Sequence, residues 1–274
     1  MTTKDKNQKT IEPDYVRYDL THVWDRCYSI YDQMAKANIW PDVIIGVARG
    51  GWIPARFLGD LFAQYEKVRT VTKKEGKDGK PKNKISYDVK VRHPHLLNVG
   101  MRRYTVGEVE QTGKVDWFQP IQGKAKRSIR NKVTLIVDDV FDVGESLRLV
   151  LKDIAKANPK ELYAAVIGVK NEPFETDPKK RAFKLEQKEK AVERIKKKTG
   201  GLFFADKMDS TDWILYPWEA TEETLGVYKK TRDMKDVEKS FKGHGVPSDI
   251  RKLIMRKVKN LDAIESGFTK SQRK

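Results

Sequence analysis

Residues 133–147 read Val-Thr-Leu-Ile-Val-Asp-Asp-Val-Phe-Asp-Val-Gly-Glu-Ser-Leu. The first five residues form a short apolar run rich in β-branched side chains, the pattern of a strand buried on both faces of a parallel sheet. Asp138 and Asp139 close the run, at the strand end where open α/β sheets bind their ligands. A tight Asp142-Val143-Gly144-Glu145-Ser146 turn follows. Beyond it Leu147, Val150, Leu151 and Ile154 recur at helical spacing, so a helix is expected. Strand, glycine turn and helix N-terminus together aim free N–H groups and the positive end of a helix dipole at one point. That point is an anion site.

A phosphate monoester suits the N–H groups, and Ser146 can add a hydroxyl. Asp138 and Asp139 would repel phosphate, so they should face another part of the ligand. Ionised carboxylates only accept hydrogen bonds, which makes sugar hydroxyls their natural partners. A ribose phosphate satisfies both ends; an ordinary βα turn with Ser146 as helix cap is the alternative. In these residues the chain resembles the phosphoribosyl pyrophosphate (PRPP) signature of type I phosphoribosyltransferases. That signature is an apolar strand, two acids, two further residues, then Asp-Thr-Gly-x-Ser/Thr. Asp138, Asp139, Asp142, Gly144 and Ser146 match it, and Val143 stands where the family usually has Thr. The missing hydroxyl removes one phosphate contact, worth roughly 1 kcal/mol.

A second strand–turn–helix pattern lies upstream. Asp42 to Ala48 reads as a buried strand, Arg49-Gly50-Gly51 as a turn, and Pro54, Ala55, Phe57, Leu58, Leu61 and Phe62 as a helix with Pro in its first turn. Glycines let the backbone approach a ligand closely, and Arg49 brings a charge suited to phosphate. Ile45-Gly46-Val47-Ala48-Arg49-Gly50-Gly51-x-x-Pro54-Ala55 resembles the pyrophosphate-binding loop of purine phosphoribosyltransferases. In the family that loop often contains a non-proline cis peptide, which would fall at Ala48–Arg49.

Further segments extend the resemblance. Leu162 to Val169 reads as a buried strand closed by Lys170. In purine members a Lys here meets the exocyclic oxygen of the base, and an ammonium favours an oxo group over an amino group. Asp212-Trp213-Ile214-Leu215-Tyr216-Pro217-Trp218-Glu219 resembles the closing segment of xanthine-guanine-type enzymes. The resemblance implies that Trp213 stacks on the purine and Ile214 offers backbone groups to its edge. Ile85-Ser86-Tyr87-Asp88 resembles the mobile active-site loop in two residues only, and an ordinary strand explains it equally.

The other segments are read from pattern alone. Residues 1–19 are polar and unpatterned, a flexible tail. A helix is expected from near Thr21, with Val23, Trp24, Cys27, Ile30, Tyr31 and Met34 as its apolar stripe and Pro41 as its breaker. Lys73 to Lys84 reads as a hairpin tip or loop, and Val115 to Ile121 as a strand. Phe174 to Gly200 reads as a surface helix whose apolar residues are too sparse for a buried face. From Ser248 a capped amphipathic helix would carry Ile250, Leu253, Ile254, Val258, Leu261 and Ile264.

Composition sets outer bounds. The 274 residues suffice for one large domain with an appendage. The single cysteine excludes an internal disulfide and suits a reducing, cytoplasmic setting. No apolar run is long enough to span a membrane, and Met1 to Thr10 lacks a signal-peptide core. His93 and His95 flank Pro94 without further metal ligands nearby. The formal net charge of +17 is concentrated: residues 66–103 contribute +8, 174–201 contribute +5 and 220–274 contribute +6. Lys-rich solvated surfaces, attraction of polyanionic substrates, and RNA binding are three readings of that excess, in that order. Nucleic acid is not expected as a partner, because the lysines lack interleaved aromatics along the sequence.

The expected fold is therefore the α/β type I phosphoribosyltransferase fold: a central parallel sheet flanked by helices, a small hood and a helical C-terminal extension. The expected domain spans 20–219, with basic insertions near 66–103 and 174–201 and a basic extension over 220–274. The resemblance implies transfer of phosphoribose from PRPP to a 6-oxopurine, giving the nucleoside monophosphate and pyrophosphate. It assigns Asp142 to the base nitrogen, Asp138 and Asp139 to the ribose, residues Asp142 to Ser146 to the 5′-phosphate, and Ala48, Arg49, Gly50 and Gly51 to the pyrophosphate. Magnesium is implied mainly through PRPP, with Asp138 and Asp139 as its protein contacts, and a homo-oligomer is implied as well. Val143 and Glu145 keep two alternatives open: a nucleotide-sensing regulator that binds RNA or DNA, and a transferase for another base.

Overall fold

The computed structural model describes residues 14–75, 81–102, 117–173, 175, 177–209, 212–216, 233–243, 248, 251, 252 and 255. In chain order the elements are β1 (Asp14–Arg17), α1 (Leu20–Lys36), β2 (Val43–Ala48), α2 (Trp52–Leu61), β3 (Gln64–Glu75), β4 (Pro81–Arg92), β5 (His95–Arg102) and β6 (Trp117–Gln119). They continue with α3 (Gly123–Arg127), β7 (Val133–Phe141), α4 (Glu145–Ile154), β8 (Glu161–Lys170), α5 (Pro178–Lys198), β9 (Leu202–Met208), β10 (Asp212–Leu215) and α6 (Met234–Gly243). The segment 217–219 and most of the helix expected from Ser248 lie outside the described residues.

A central sheet runs in the order β6-β5-β2-β7-β8-β9. Strands β5, β2, β7, β8 and β9 are parallel, and β6 closes one edge antiparallel to β5. Alternation along the strands divides the apolar side chains between two layers. Val43, Ile45 and Val47 of β2 and Ile136 of β7 join Leu147, Val150, Leu151 and Ile154 of α4. Ile44 of β2 and Leu135 and Val137 of β7 join Val23, Cys27, Ile30 and Met34 of α1 and Ala55 and Leu58 of α2. The doubly covered sheet makes the near-continuous apolar runs of β2 and β7 necessary.

Helix α1 begins at a capping box in which the Asp19 carboxylate accepts from the His22 N–H at 2.9 Å. It ends at Lys36, before the expected breaker Pro41, because Asn38 turns to a φ of 55°. Trp24 of the expected apolar stripe is 42% exposed and meets the Phe57 ring edge-on at 4.4 Å. The 1–19 segment is not all loose tail: β1 pairs in parallel with β10, a small two-stranded hood. Next to it the Tyr18 hydroxyl donates to Asp206 on β9, and Arg26 Nε donates to the same carboxylate at 2.8 Å.

Both basic segments differ from the expected insertions. Residues 95–102 form β5, a central strand. Residues 64–75 and 81–92 pair as an antiparallel β3–β4 ribbon with twelve residues in each arm. Ser86 and Tyr87 lie on β4 opposite Thr70 and Arg69, and residues 76–80 lie outside the described residues. One face of the ribbon carries Tyr65, Val71, Ile85, Tyr87, Val89 and Val91, all exposed. Lys67 Nζ stands 4.3 Å from the Tyr87 ring centroid, so aromatic and basic side chains do interleave here, across strands rather than along them. Residues 178–198 form α5, which buries Ala191 and Ile195 against the α4 side of the sheet. Parallel strands β8 and β9 require a crossover, and α5 is that crossover rather than a surface appendage.

Candidate active site

The carboxyl ends of β2, β7 and β8 lie side by side, with Gly46 opposite Val137 and Phe141 opposite Val169. The Arg49-Gly50-Gly51 turn therefore sits against the end of β7. The peptide between Ala48 and Arg49 is cis, as the family pattern anticipates. Past it, Gly51 N–H donates to the Val47 carbonyl at 2.9 Å, and α2 starts with no side-chain cap.

Contact with the end of β7 explains both glycines. A Cβ on Gly50 would lie 1.9 Å from Asp139 Oδ2, and one on Gly51 would lie 2.2 Å from the Val137 carbonyl oxygen. Gly51 has no room for a side chain, and one at Gly50 would displace the Asp139 carboxylate. Arg49, by contrast, is exposed at the mouth of the loop.

Asp138 is buried, and its Oδ1 accepts the Asp139 N–H at 3.0 Å; Asp139 Oδ1 in turn accepts the Val140 N–H at 2.7 Å. One oxygen of each carboxylate is thus held by the backbone. This fixes the pair at the strand end. Asp142 follows in the turn, and its Oδ1 is buried with no hydrogen-bond partner. An unmet buried acceptor is costly unless a ligand donates to it.

Gly144 is the N-cap of α4, with a φ of 74° that an L side chain rarely adopts. A Cβ there would also meet the Phe141 ring at 2.6 Å. Ser146 and Val143 are half-buried on the same turn. The Glu145 carboxylate is paired within α4: Arg148 Nε donates to its Oε2 at 3.0 Å, with a second bond from Nη2 to Oε1. The Arg148 guanidinium therefore offsets the Glu145 charge at the head of α4.

Lys170 ends β8 and is buried. Beside it stands Lys188 of α5, which reading the sequence missed. Its Nζ donates to the Lys170 and Asn171 carbonyls, the latter at 3.2 Å. Burial pushes the Lys188 ammonium down from its ordinary range, the Asp142 carboxylate draws it up, and Lys170 pushes it down again. Trp213 and Ile214 lie on β10 opposite Tyr15 and Val16; the stacking expected of Trp213 lies outside the described residues' side chains.

Magnesium fits this donor set only as a shared ion. Among the described residues no three His, Cys, Asp or Glu side chains converge to hold a metal. Two carboxylates with one oxygen each already engaged suit an ion that keeps most of its contacts to substrate phosphates.

The family pattern of the phosphoribosyl transferase domain matches residues 18–196. The hypoxanthine-guanine phosphoribosyltransferase of Saccharomyces cerevisiae is 30% identical over 192 residues, covering 68% of this chain and 77% of the yeast protein. The chain belongs to the phosphoribosyltransferase family. Among solved structures, a purine phosphoribosyltransferase from Pyrococcus horikoshii is similar at 22% identity and a TM-score of 0.44, over 75% of this chain and 93% of that one. The Helicobacter pylori xanthine-guanine-hypoxanthine phosphoribosyltransferase is similar at 15% identity and a TM-score of 0.40, over 76% and 94%.

Proposed function

We propose that this chain transfers the 5-phosphoribosyl group of PRPP to a 6-oxopurine, releasing pyrophosphate and forming the nucleoside monophosphate. The observation that carries the reading is the seating of Gly50 and Gly51 against Asp139 and the end of β7, which joins a pyrophosphate loop to a ribose-phosphate turn. The yeast relative, named for hypoxanthine and guanine, supports the choice of base.

Each residue has a task in this reading. The N–H groups of the turn from Asp142 to Ser146, at the head of α4, hold the 5′-phosphate. The backbone from Ala48 to Gly51, with Arg49, holds the pyrophosphate. Asp138 and Asp139 accept from the ribose hydroxyls. Asp142, with its unmet buried oxygen, faces a base nitrogen and takes or returns the proton there. Lys170 meets the 6-oxo group, Trp213 stacks on the ring and Ile214 borders its edge. Catalysis is then mostly positioning and electrostatic stabilisation. Magnesium, when bound with PRPP beside Asp138 and Asp139, would neutralise phosphate charge.

The reading extends to a homo-oligomer, on the family resemblance, and to a cytoplasmic setting. The latter rests on the single cysteine, Cys27, which is free and leaves no internal disulfide to form. No helix among the described residues is long and apolar enough to cross a membrane. The test is a panel of bases incubated with PRPP and magnesium and read as pyrophosphate release. Release should appear with guanine, hypoxanthine or xanthine and be weak with adenine. Release with adenine alone, or with no base, would overturn the reading.

A further inference from the structure

We propose that Asp206 is a positioning residue for the base: its carboxylate pins the foot of the hood to β9, and so sets the gap between Lys170 and the hood residues Trp213 and Ile214. The inference rests on the roles given above to those three residues.

Three parts of the chain converge on one oxygen. Asp206 Oδ2, on β9, accepts from the hydroxyl of Tyr18, in the link between β1 and α1. The same oxygen accepts from Nε of Arg26, on α1, at 2.8 Å. Tyr18 is held on its other sides as well. Its ring stacks on His22 at 5.8 Å, meets the buried Tyr216 ring edge-on at 6.0 Å and lies 5.3 Å from Arg26 Cζ. Tyr18 follows β1 and Tyr216 follows β10, so both hood strands end at this cluster.

The cluster joins the two sides of the proposed base site. In the hood ladder Tyr15 lies opposite Trp213 and Val16 opposite Ile214, just before Tyr18 in the chain. On the core side Asp206 lies opposite Gly168, and Met208 opposite Lys170. The Asn171 N–H donates to the Met208 carbonyl at 2.7 Å, so β8 and β9 stay joined past Lys170. Among the described residues β1 and β10 pair only with each other, and no strand ladder ties the hood to the central sheet. Tyr18, Met208 and Tyr216 share one apolar cluster, which holds the hood down. Apolar packing is non-directional, however, and lets two surfaces slide. Hydrogen bonds to a carboxylate oxygen constrain both distance and angle. A flat base held from two sides requires that constraint.

The experiment uses the full chain with Asp206→Ala, Asp206→Asn and Tyr18→Phe. Pyrophosphate release is measured against base at saturating PRPP and against PRPP at saturating base. Melting temperature and amide hydrogen exchange by segment accompany it. Asp206→Ala should raise KM for the base about tenfold or more, the scale of hydrogen bonds to a charged group, while KM for PRPP stays within about twofold. Tyr18→Phe keeps the ring and loses the hydroxyl, and should raise KM for the base about fivefold. Asp206→Asn keeps an acceptor oxygen and should return it to within about twofold of wild type. In Asp206→Ala the amides of β1 and β10 should exchange about tenfold faster or more, those of β2 and β7 at the wild-type rate. A folded Ala variant with wild-type KM for the base, or with both KM values raised alike, overturns the proposal, and the cluster then serves stability alone. An Asn variant no better than Ala overturns it too. If Ala does not fold, Tyr18→Phe decides by the same two KM values. Absence of release from the wild type with every base is a failure of the substrate reading instead, and exchange then decides. Faster exchange confined to the hood supports the pinning by Asp206; unchanged exchange overturns it.

Discussion

The β3–β4 ribbon and helix α5 look alike in sequence and behave in opposite ways. Each comes from a lysine-rich segment with scattered apolar residues, and each was expected to be an insertion. The ribbon leaves its apolar face exposed, with Tyr65 and Val89 at 75% and 68%. Helix α5 buries Ala191, Ile195 and even Lys188. Topology separates them. A hairpin adds an out-and-back excursion to a connection that exists without it, whereas β8 and β9 cannot run parallel unless something crosses over between them. A segment that must cross a sheet must also pack on it.

The comparison is broken or sharpened by substitution. The largest effect is expected in the turn after β7, next to the sheet that α5 covers. Asp142→Asn keeps shape but cannot accept a proton, and turnover should fall about 10²–10⁴-fold, the span of general acid–base help. PRPP affinity, measured by titration calorimetry, should change little. Retained turnover would reduce the turn to a phosphate site. Next, Ile195→Ala on the buried face of α5 should cost about 2–5 kcal/mol in denaturant unfolding. A loss near zero would return α5 to the surface. On the ribbon, Val89→Ser should change stability by no more than about 0.5 kcal/mol, and a large loss would mean that the apolar face is covered.

The smallest effect is a control remote from both segments. Burial, followed by the hydrogen bond to Asp206, raises the Tyr18 phenol to about 12. A raised pKa contributes stability that is complete below the unfolded value of about 10 and lost as pH climbs towards 12. Tyr18→Phe should therefore flatten the fall of melting temperature between those values. Tyr163 and Cys27, also pushed up to about 12, keep part of the fall in place. An unchanged slope would mean that Tyr18 ionises in the folded protein as it does unfolded.

Legibility followed the range over which each feature is determined. The stretch 133–147 and the turn at 48–54 were readable because strand, glycine and helix start follow one another along the chain. The meeting of Gly50 with Asp139 was not readable, since it depends on β2 and β7 becoming neighbours. Strand β5 hid behind His93-Pro94-His95 and a basic context, although Leu96, Leu97 and Val99 supplied its apolar side chains. Lys188 was one of ten basic residues between 174 and 201, and only burial distinguishes it. Glu145 looked like a charge against phosphate because the reach of Arg148 along α4 is a side-chain matter.

The pairing of Val43 with Thr134 has a further consequence. The chain leaves the sheet after β2, forms α2 and the ribbon, and returns through β5 and β6 before β7 comes alongside. The ordering entropy of such an excursion grows only with the logarithm of its length, about 0.6 kcal/mol for each doubling. Lengthening or trimming the arms of β3 and β4 therefore has little leverage on whether the two half-sites find each other. The ribbon is a place where this chain could gain or lose whole turns of sequence over evolutionary time, its reactive centre left untouched.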